Sequence, residues 1–217
     1  MSEPATQTNL SKAALTQEKL LSAGIHLFSQ QGFEATSTRQ VQQLAGVQRN
    51  LITYHFGSKE AFWKACMGQL FGRISNSMQP AIAQSVDIEP VERIRFLIRR
   101  FIRASAAHHE STRIMFDEGR SGNWRLEWLI AHYAKPFFDL VCDLYADGGY
   151  KDTRGEGTLT EIQLYYLVVG SAAGYAMGAE YQQLSGSDPF DEKLIDQHAN
   201  AMAEIITQNL TRGSERK

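Results

Sequence analysis

Thirteen residues, QRNLITYHFGSKE at positions 48–60, concentrate side chains able to recognise a structured polyanion. Gln48, Arg49 and Asn50 carry the carboxamide and guanidinium groups that pair bidentately with adenine or guanine edges. Thr53, Tyr54 and His55 add hydroxyl and imidazole groups of the kind that reach phosphates. Lys59 falls in the first turn of the following helix, where a cation opposes the helix dipole, and a nearby phosphate would give it a reason. Leu51, Ile52 and Phe56 supply an apolar side to hold such a helix on a core. The stretch also fits an ordinary amphipathic helix followed by a capped one, and residue types alone leave both readings open.

The elements that must position these groups are helical. Strand-like alternation of useful length is absent, and apolar residues recur at helical spacing almost throughout the 217 residues. A first helix opens at Thr16, carries Leu20, Leu21, Ile25, Leu27 and Phe28, and stops at Gly32. A second spans about 38–45 and a third about 48–55, ending near Gly57. Between them Ala45-Gly46-Val47 offers a tight turn with glycine where a positive φ is needed. That is the sequence form of a helix-turn-helix, whose last helix enters the DNA major groove. Ser58 then reads as the amino-terminal cap of a fourth helix.

Beyond it, Pro80 and SVDIEP mark a link, and Pro90 suits the first position of the next helix. There Arg95, Arg99 and Arg103 follow four apart on one face, suited to nucleic acid but better explained by solvent or acidic partners. A segment near 110–120 precedes a helix over about 123–146 that Pro136 is expected to kink. DGGYKDTRGEG reads as a flexible linker, and two helices close the chain, about 158–184 and 190–211. The expected architecture is all-α with about nine helices: a three-helix helix-turn-helix domain, then a helical ligand-binding and dimerisation domain. Its expected divisions are a disordered tail at 1–12, the DNA-binding domain at 13–60 and the effector-binding and dimerisation domain at 61–217.

The net charge of −2 hides an asymmetry: residues 1–80 hold seven Lys/Arg against four Asp/Glu, so the acidic excess lies wholly in the remainder. A mildly basic head on an acidic body agrees with a polyanion-binding amino terminus. Cys66 and Cys142, far apart and in no ligand-like spacing, suit a reducing cytoplasm better than a disulfide. No secretory signal is discernible.

Residues 17 to about 65 resemble the DNA-binding domain of the TetR family of transcriptional regulators. LFSQQGFEATSTRQV, LAGV and YHFGSKEAF, in that order and spacing, carry the resemblance. It implies that Gln48, Arg49 and Asn50 read bases, while Thr38, Tyr54, His55 and Lys59 contact the backbone. The chain departs from the family in two places. Gln42 follows Val41 where a small alanine is usual, so either Gln42 bends outward or the helices cross at another angle. Thr53 stands where tyrosine is favoured, which weakens the phosphate clamp or shifts it to Tyr54.

One short helix covers few base pairs, and specific sites normally need a dimer. In VVGSAAGYAMGAEY, Gly170, Gly174 and Gly178 fall four apart and would line one close-packing face. The resemblance places the last two long helices in a four-helix homodimer bundle. Residues 162–179 lack charge, but their glycines, tyrosines and Gln163 argue against a membrane span. The middle of the chain supplies pocket candidates, His109, Arg113, Phe116, Trp124, Trp128, His132 and Tyr166, each of which could equally serve packing. Adjacent His108 and His109 point about 100° apart on a helix, and no HExxH, G-x-S-x-G or phosphate-loop pattern occurs, so neither metal nor catalysis nor a cofactor is expected. The expectation is a cytoplasmic, ligand-responsive repressor that binds a palindromic double-stranded operator and is released by a small-molecule effector. A helical protein–protein interaction module is the alternative, with a helical metalloenzyme behind it.

Overall fold

The computed structural model describes residues 4–150 and 159–214, and among these every regular element is helical. The chain divides into two units, Met1–Gly72 and Arg73–Lys217. The division falls inside a helix, not at residue 60.

In the first unit, α1 (Pro4–Ala35) opens ahead of Thr16 and takes in most of the expected 1–12 tail. The run NLSKAALTQEKLL is dense in Ala, Leu, Lys and Gln, which favour helix and extend the winding toward the amino terminus. The helix breaks where expected, at Gly32, whose φ of 76° no helical residue adopts. Then α2 (Thr38–Leu44) begins with a capping box. Gln40 N–H donates to Ser37 Oγ at 3.2 Å, and Ser37 N–H donates to Gln40 Oε1 at 2.8 Å.

Helix α3 (Leu51–Phe56) starts three residues later than the apolar pattern suggests, and α4 (Lys59–Gln84) starts after Ser58, whose Oγ accepts from Ala61 N–H. Leu20, Phe28, Val41, Ile52, Phe62 and Trp63 form the core of this unit. Gly24 lets α4 lie close to α1: a Cβ there would sit 2.5 Å from Phe62 Cζ and 2.7 Å from Cys66 Sγ.

In the second unit, Pro80 proves no link: α4 winds through it to Gln84, and only the SVDIEP segment breaks the helix. Helix α5 (Pro90–Ala107) has Pro90 at its first position, and Glu89 accepts from Val91 and Glu92 N–H. Helices α6 (His109–Glu118) and α7 (Trp124–Leu129) are joined by a buried polar staple. In it Arg125 Nε donates to Glu118 Oε1 at 2.7 Å, and Asn123 donates to Glu118 Oε2 at 3.2 Å.

The kink expected at Pro136 takes the form of a π turn, Ile130–Ala134, followed by α8 (Lys135–Asp147). Lys135 N–H reaches back to Ile130 C=O, and this wider turn makes room just before the residue that lacks an N–H. Most of the expected linker, from Lys151 onward, lies outside the described residues.

The expected single helix over 158–184 is instead three pieces, α9 (Glu161–Gly170), α10 (Ala173–Ala176) and α11 (Gly178–Ser185). Gly170, Ser171, Gly174 and Gly178 weaken helix at the breaks, so the even four-residue spacing does not produce one glycine face. Helix α12 (Glu192–Ser214) packs along α5. Here two of the three arginines of the row meet acids: Arg95 Nε lies 3.3 Å from Glu204 and Arg103 Nε 2.7 Å from Asp196. Ile94, Leu97, Val141, Leu164, Ala199 and Ile206 belong to the core that joins α5, α8, α9 and α12. No helix among the described residues is long and apolar enough to cross a membrane.

Candidate nucleic-acid interface

The chain leaves α2 through Ala45 and turns at Gly46, whose φ of 64° fulfils the expectation of a left-handed glycine. Val47 N–H closes the turn on Gln42 C=O at 3.1 Å. Gln48, Arg49 and Asn50 follow as an exposed, non-helical rim. Asn50 too is left-handed, with φ 67°, a conformation Asn tolerates better than most side chains. These three groups therefore sit on the approach to α3 and not on its first turn.

Along α3 the buried side is Ile52, only 1% exposed, with Leu51 and Phe56 half-buried as expected of the anchoring face. Phe56 packs on Phe62 with ring centres 5.0 Å apart. Thr53 and Tyr54 face outward, and Tyr54 is 80% exposed, far more than an aromatic residue needs for packing. Thr38, half-buried, opens α2 directly after its capping residue.

Three supports for this surface are long-range and escaped sequence reasoning. Gln17 Nε2 on α1 lies 3.4 Å from His55 Nδ1. With Gln17 donating, the neutral ring carries its proton on Nε2 and can itself donate outward. Lys59 Nζ lies 4.2 Å from the centre of the Phe33 ring, a cation–π placement at the amino end of α4. Gln42 is the third. It neither bends outward nor sits idle: it is 6% exposed, and its Oε1 accepts from Ile52 N–H at 3.3 Å. The signal for Gln42 was its departure from a small residue, and for Phe33 and Lys59 the aromatic and cation flanking α2 and α3.

The expected pocket residues are scattered. Trp128 stacks on His132 at 4.3 Å and meets Tyr133 at 5.7 Å, and His132 Nδ1 lies 2.7 Å from Trp128 C=O. His109 packs 4.7 Å from Phe190, and the Arg125 guanidinium lies 5.7 Å from the Trp124 ring centre. Arg113 is half-buried on α6, whereas Phe116 and Tyr166 are 49% and 64% exposed. None of the seven lines the apolar cavity of about 30 Å³ enclosed by α4, α5, α8 and α9, which is walled by Met78, Ile98, Phe101, Phe137, Leu140 and Val168 among others. Gly178 faces the chain's own Phe190 and Pro189 at 3.3 and 3.4 Å, Gly174 lies near Tyr181, and Gly170 opens onto free space. Among the described residues no group of three His, Cys, Asp or Glu could hold a metal ion.

Two short helices about a left-handed glycine, with an exposed amide, guanidinium and hydroxyl rim, define a helix-turn-helix DNA-binding unit. Residues 20–66 match the family described as bacterial regulatory proteins, tetR family. The HTH-type transcriptional regulator RutR of Escherichia coli (strain K12) is 26% identical over 202 residues, covering 92% of this chain and 93% of that protein. A TetR-like transcriptional regulator from Rhodococcus sp. RHA1 shares the fold with TM-score 0.69 at 18% identity, over 93% of this chain and 97% of that one. FadR of Bacillus subtilis, solved with stearoyl-CoA, superposes with TM-score 0.65 at 16% identity, over 88% of this chain and 98% of that one. By these matches the chain is similar to the TetR family of DNA-binding transcriptional regulators.

Proposed function

We propose that the protein is a homodimeric repressor that reads a palindromic operator and is released by a small, largely apolar effector. The observation that carries the reading is the rim of Gln48, Arg49 and Asn50 beside the exposed Thr53 and Tyr54. Base-pairing groups there adjoin phosphate-reaching ones, and nothing in the packing of the unit requires either set outside. Gln48, Arg49 and Asn50 would contact base edges, and Thr38, Thr53, Tyr54, His55 and Lys59 the backbone.

A second copy of the chain suits the face formed by Ile162, Tyr166, Leu167 and Gly170 of α9. Leu184 of α11 and Ile205 of α12 add further exposed apolar surface. Two heads one helical turn of DNA apart, about 34–36 Å, would then read two half-sites. The apolar cavity supports an effector with an aliphatic or aromatic body, as in the FadR neighbour solved with stearoyl-CoA. About 30 Å³ holds little more than one water-sized group, so an effector would enter by parting α5, α8 and α9. A ligand favouring that parted state shifts the DNA-binding equilibrium only by its differential affinity, typically ~1–3 kcal/mol.

The test is selection of genomic or randomised duplexes by the purified protein, followed by anisotropy titration of the winner. An inverted repeat, bound tightly and lost on Arg49→Ala, is the expected result. Weak, sequence-blind binding would overturn the reading, and a monomer in sedimentation at operator-binding concentrations would overturn the dimer. Acyl ligands that bind tightly without changing operator affinity would remove the effector role.

A further inference from the structure

Asparagine is among the strongest helix amino-terminal caps, because its side-chain oxygen accepts an N–H from the second or third helical residue. Asn50 occupies that position before α3, yet its side chain makes no capping bond and is exposed. The backbone explains why. A residue that caps with its side chain holds an extended conformation, whereas Asn50 is left-handed at φ 67°.

The N–H that such a cap would have satisfied belongs to Ile52, a residue 1% exposed, and a buried amide needs an acceptor. Gln42 provides it from α2 through Oε1 at 3.3 Å. The donor and acceptor are ten residues apart in sequence and both belong to buried residues.

We propose that Gln42 is a positioning residue for base recognition: by capping α3 from the neighbouring helix it releases the Asn50 carboxamide toward the base edges. The proposal rests on the reading that residues 48–50 face bases. Without the Gln42 acceptor, Asn50 is the side chain placed at the cap position to take over. Doing so would require it to leave the left-handed region, which withdraws its amide.

The experiment selects from a randomised duplex pool with the full-length wild type, Gln42→Met, Gln42→Glu, Asn50→Gly and the double variant Gln42→Met/Asn50→Gly. Met fills the Gln volume without the carboxamide acceptor, Glu retains an acceptor, and Gly keeps the left-handed backbone without an amide. The wild type should select an inverted repeat. Gln42→Met should lose preference at one base step per half-site, by about five-fold or more, the discrimination of one bidentate contact. In the Asn50→Gly background the same change should remove no further preference at that step, and Gln42→Glu should restore most of it.

A uniform drop in affinity with the selected sequence unchanged would mean that Gln42 only stabilises the fold, and would overturn the proposal. So would equal losses from Gln42→Met in both backgrounds. If Gln42→Met fails to fold, Gln42→Glu decides: a wild-type motif supports the acceptor role, and a motif lost at the Asn50 step overturns it. Failure of the wild type to select any motif overturns the DNA-reading assignment itself, a separate outcome.

Discussion

Lys59 and Phe33 allow charge and placement to be removed one at a time. Lys59→Gln deletes the cation, whereas Phe33→Leu keeps the cation and deletes the ring that lies 4.2 Å beneath it. Affinity for B-DNA falls with salt at a slope of about −0.9 per neutralised phosphate. One phosphate lost per protomer takes about 1.8 off the slope of a dimer. Between about 50 and 200 mM salt, the wild type should then lose roughly twelvefold more affinity than Lys59→Gln does. Phe33→Leu should leave the slope intact and weaken binding at every salt by the cation–π attraction, about 0.5–1 kcal/mol per head. Phe33 also stacks on Phe28 at 6.0 Å and meets Trp63 at 6.4 Å, so thermal unfolding must accompany the titrations. Anisotropy at several salt concentrations on one operator measures both quantities. A Lys59→Gln slope equal to the wild type's would show that Lys59 touches no phosphate. A Phe33→Leu slope as shallow as that of Lys59→Gln would show that the ring acts through folding and not through placement.

Three further outcomes follow from the packing. Gly24→Ala should lower the melting temperature or at best leave it level, since overpacking against Phe62 and Cys66 costs about 1–3 kcal/mol and the better helix propensity returns about 1; a higher value would contradict the close α1–α4 approach. Arg125→Met leaves Glu118 buried without its cation and should cost about 3–5 kcal/mol in urea unfolding, whereas replacing both by apolar residues should be far milder. His108 is held below the ordinary 6.5 by burial and then by the nearby Arg73 charge. The unfolded chain therefore binds a proton first as pH falls, so this contribution is complete above 6.5 and shrinks as acidification passes 6.5 toward the lower folded value. Stability measured from pH 7.5 to 5.5 should show that decline in the wild type and less of it in His108→Gln.

What was legible in the sequence was local. The start of α2 is expected at about residue 38 and falls there, where Ser37 and Gln40, three apart, close their own capping box. Gly32, Gly46 and Gly57 all carry positive φ where the chain was expected to break. The start of α3 misled: the apolar pattern places residues 48–50 in its first turn, and nothing local discloses that Asn50 is left-handed or that Gln42 caps Ile52 from α2. The stretch after Thr160 misled for a related reason. Its unbroken apolar character suggested one long helix with a glycine face, while the same glycines let the backbone part at Gly170 and Met177. The aromatic and polar residues of α6 and α7 drew attention as pocket walls, but the cavity is lined by aliphatic and aromatic side chains of α4, α5, α8 and α9. Periodicity cannot distinguish a core position from a cavity wall, since both demand the same residue at the same spacing.

The π turn at Ile130–Ala134 makes chain length count inside a helix. It holds one residue more than regular winding would, so every side chain after it lies about 100° behind the phase that unbroken winding from α7 would give it. Phe137, Val141 and Leu144 meet the core of the second unit in that set-back phase. Deleting one residue between 130 and 134 would let the helix heal into ordinary winding with all three still facing their neighbours, whereas closing the turn without a deletion would rotate all three away by about 100°. The turn thus behaves as a vernier, taking up a single surplus residue and leaving the packing beyond it undisturbed.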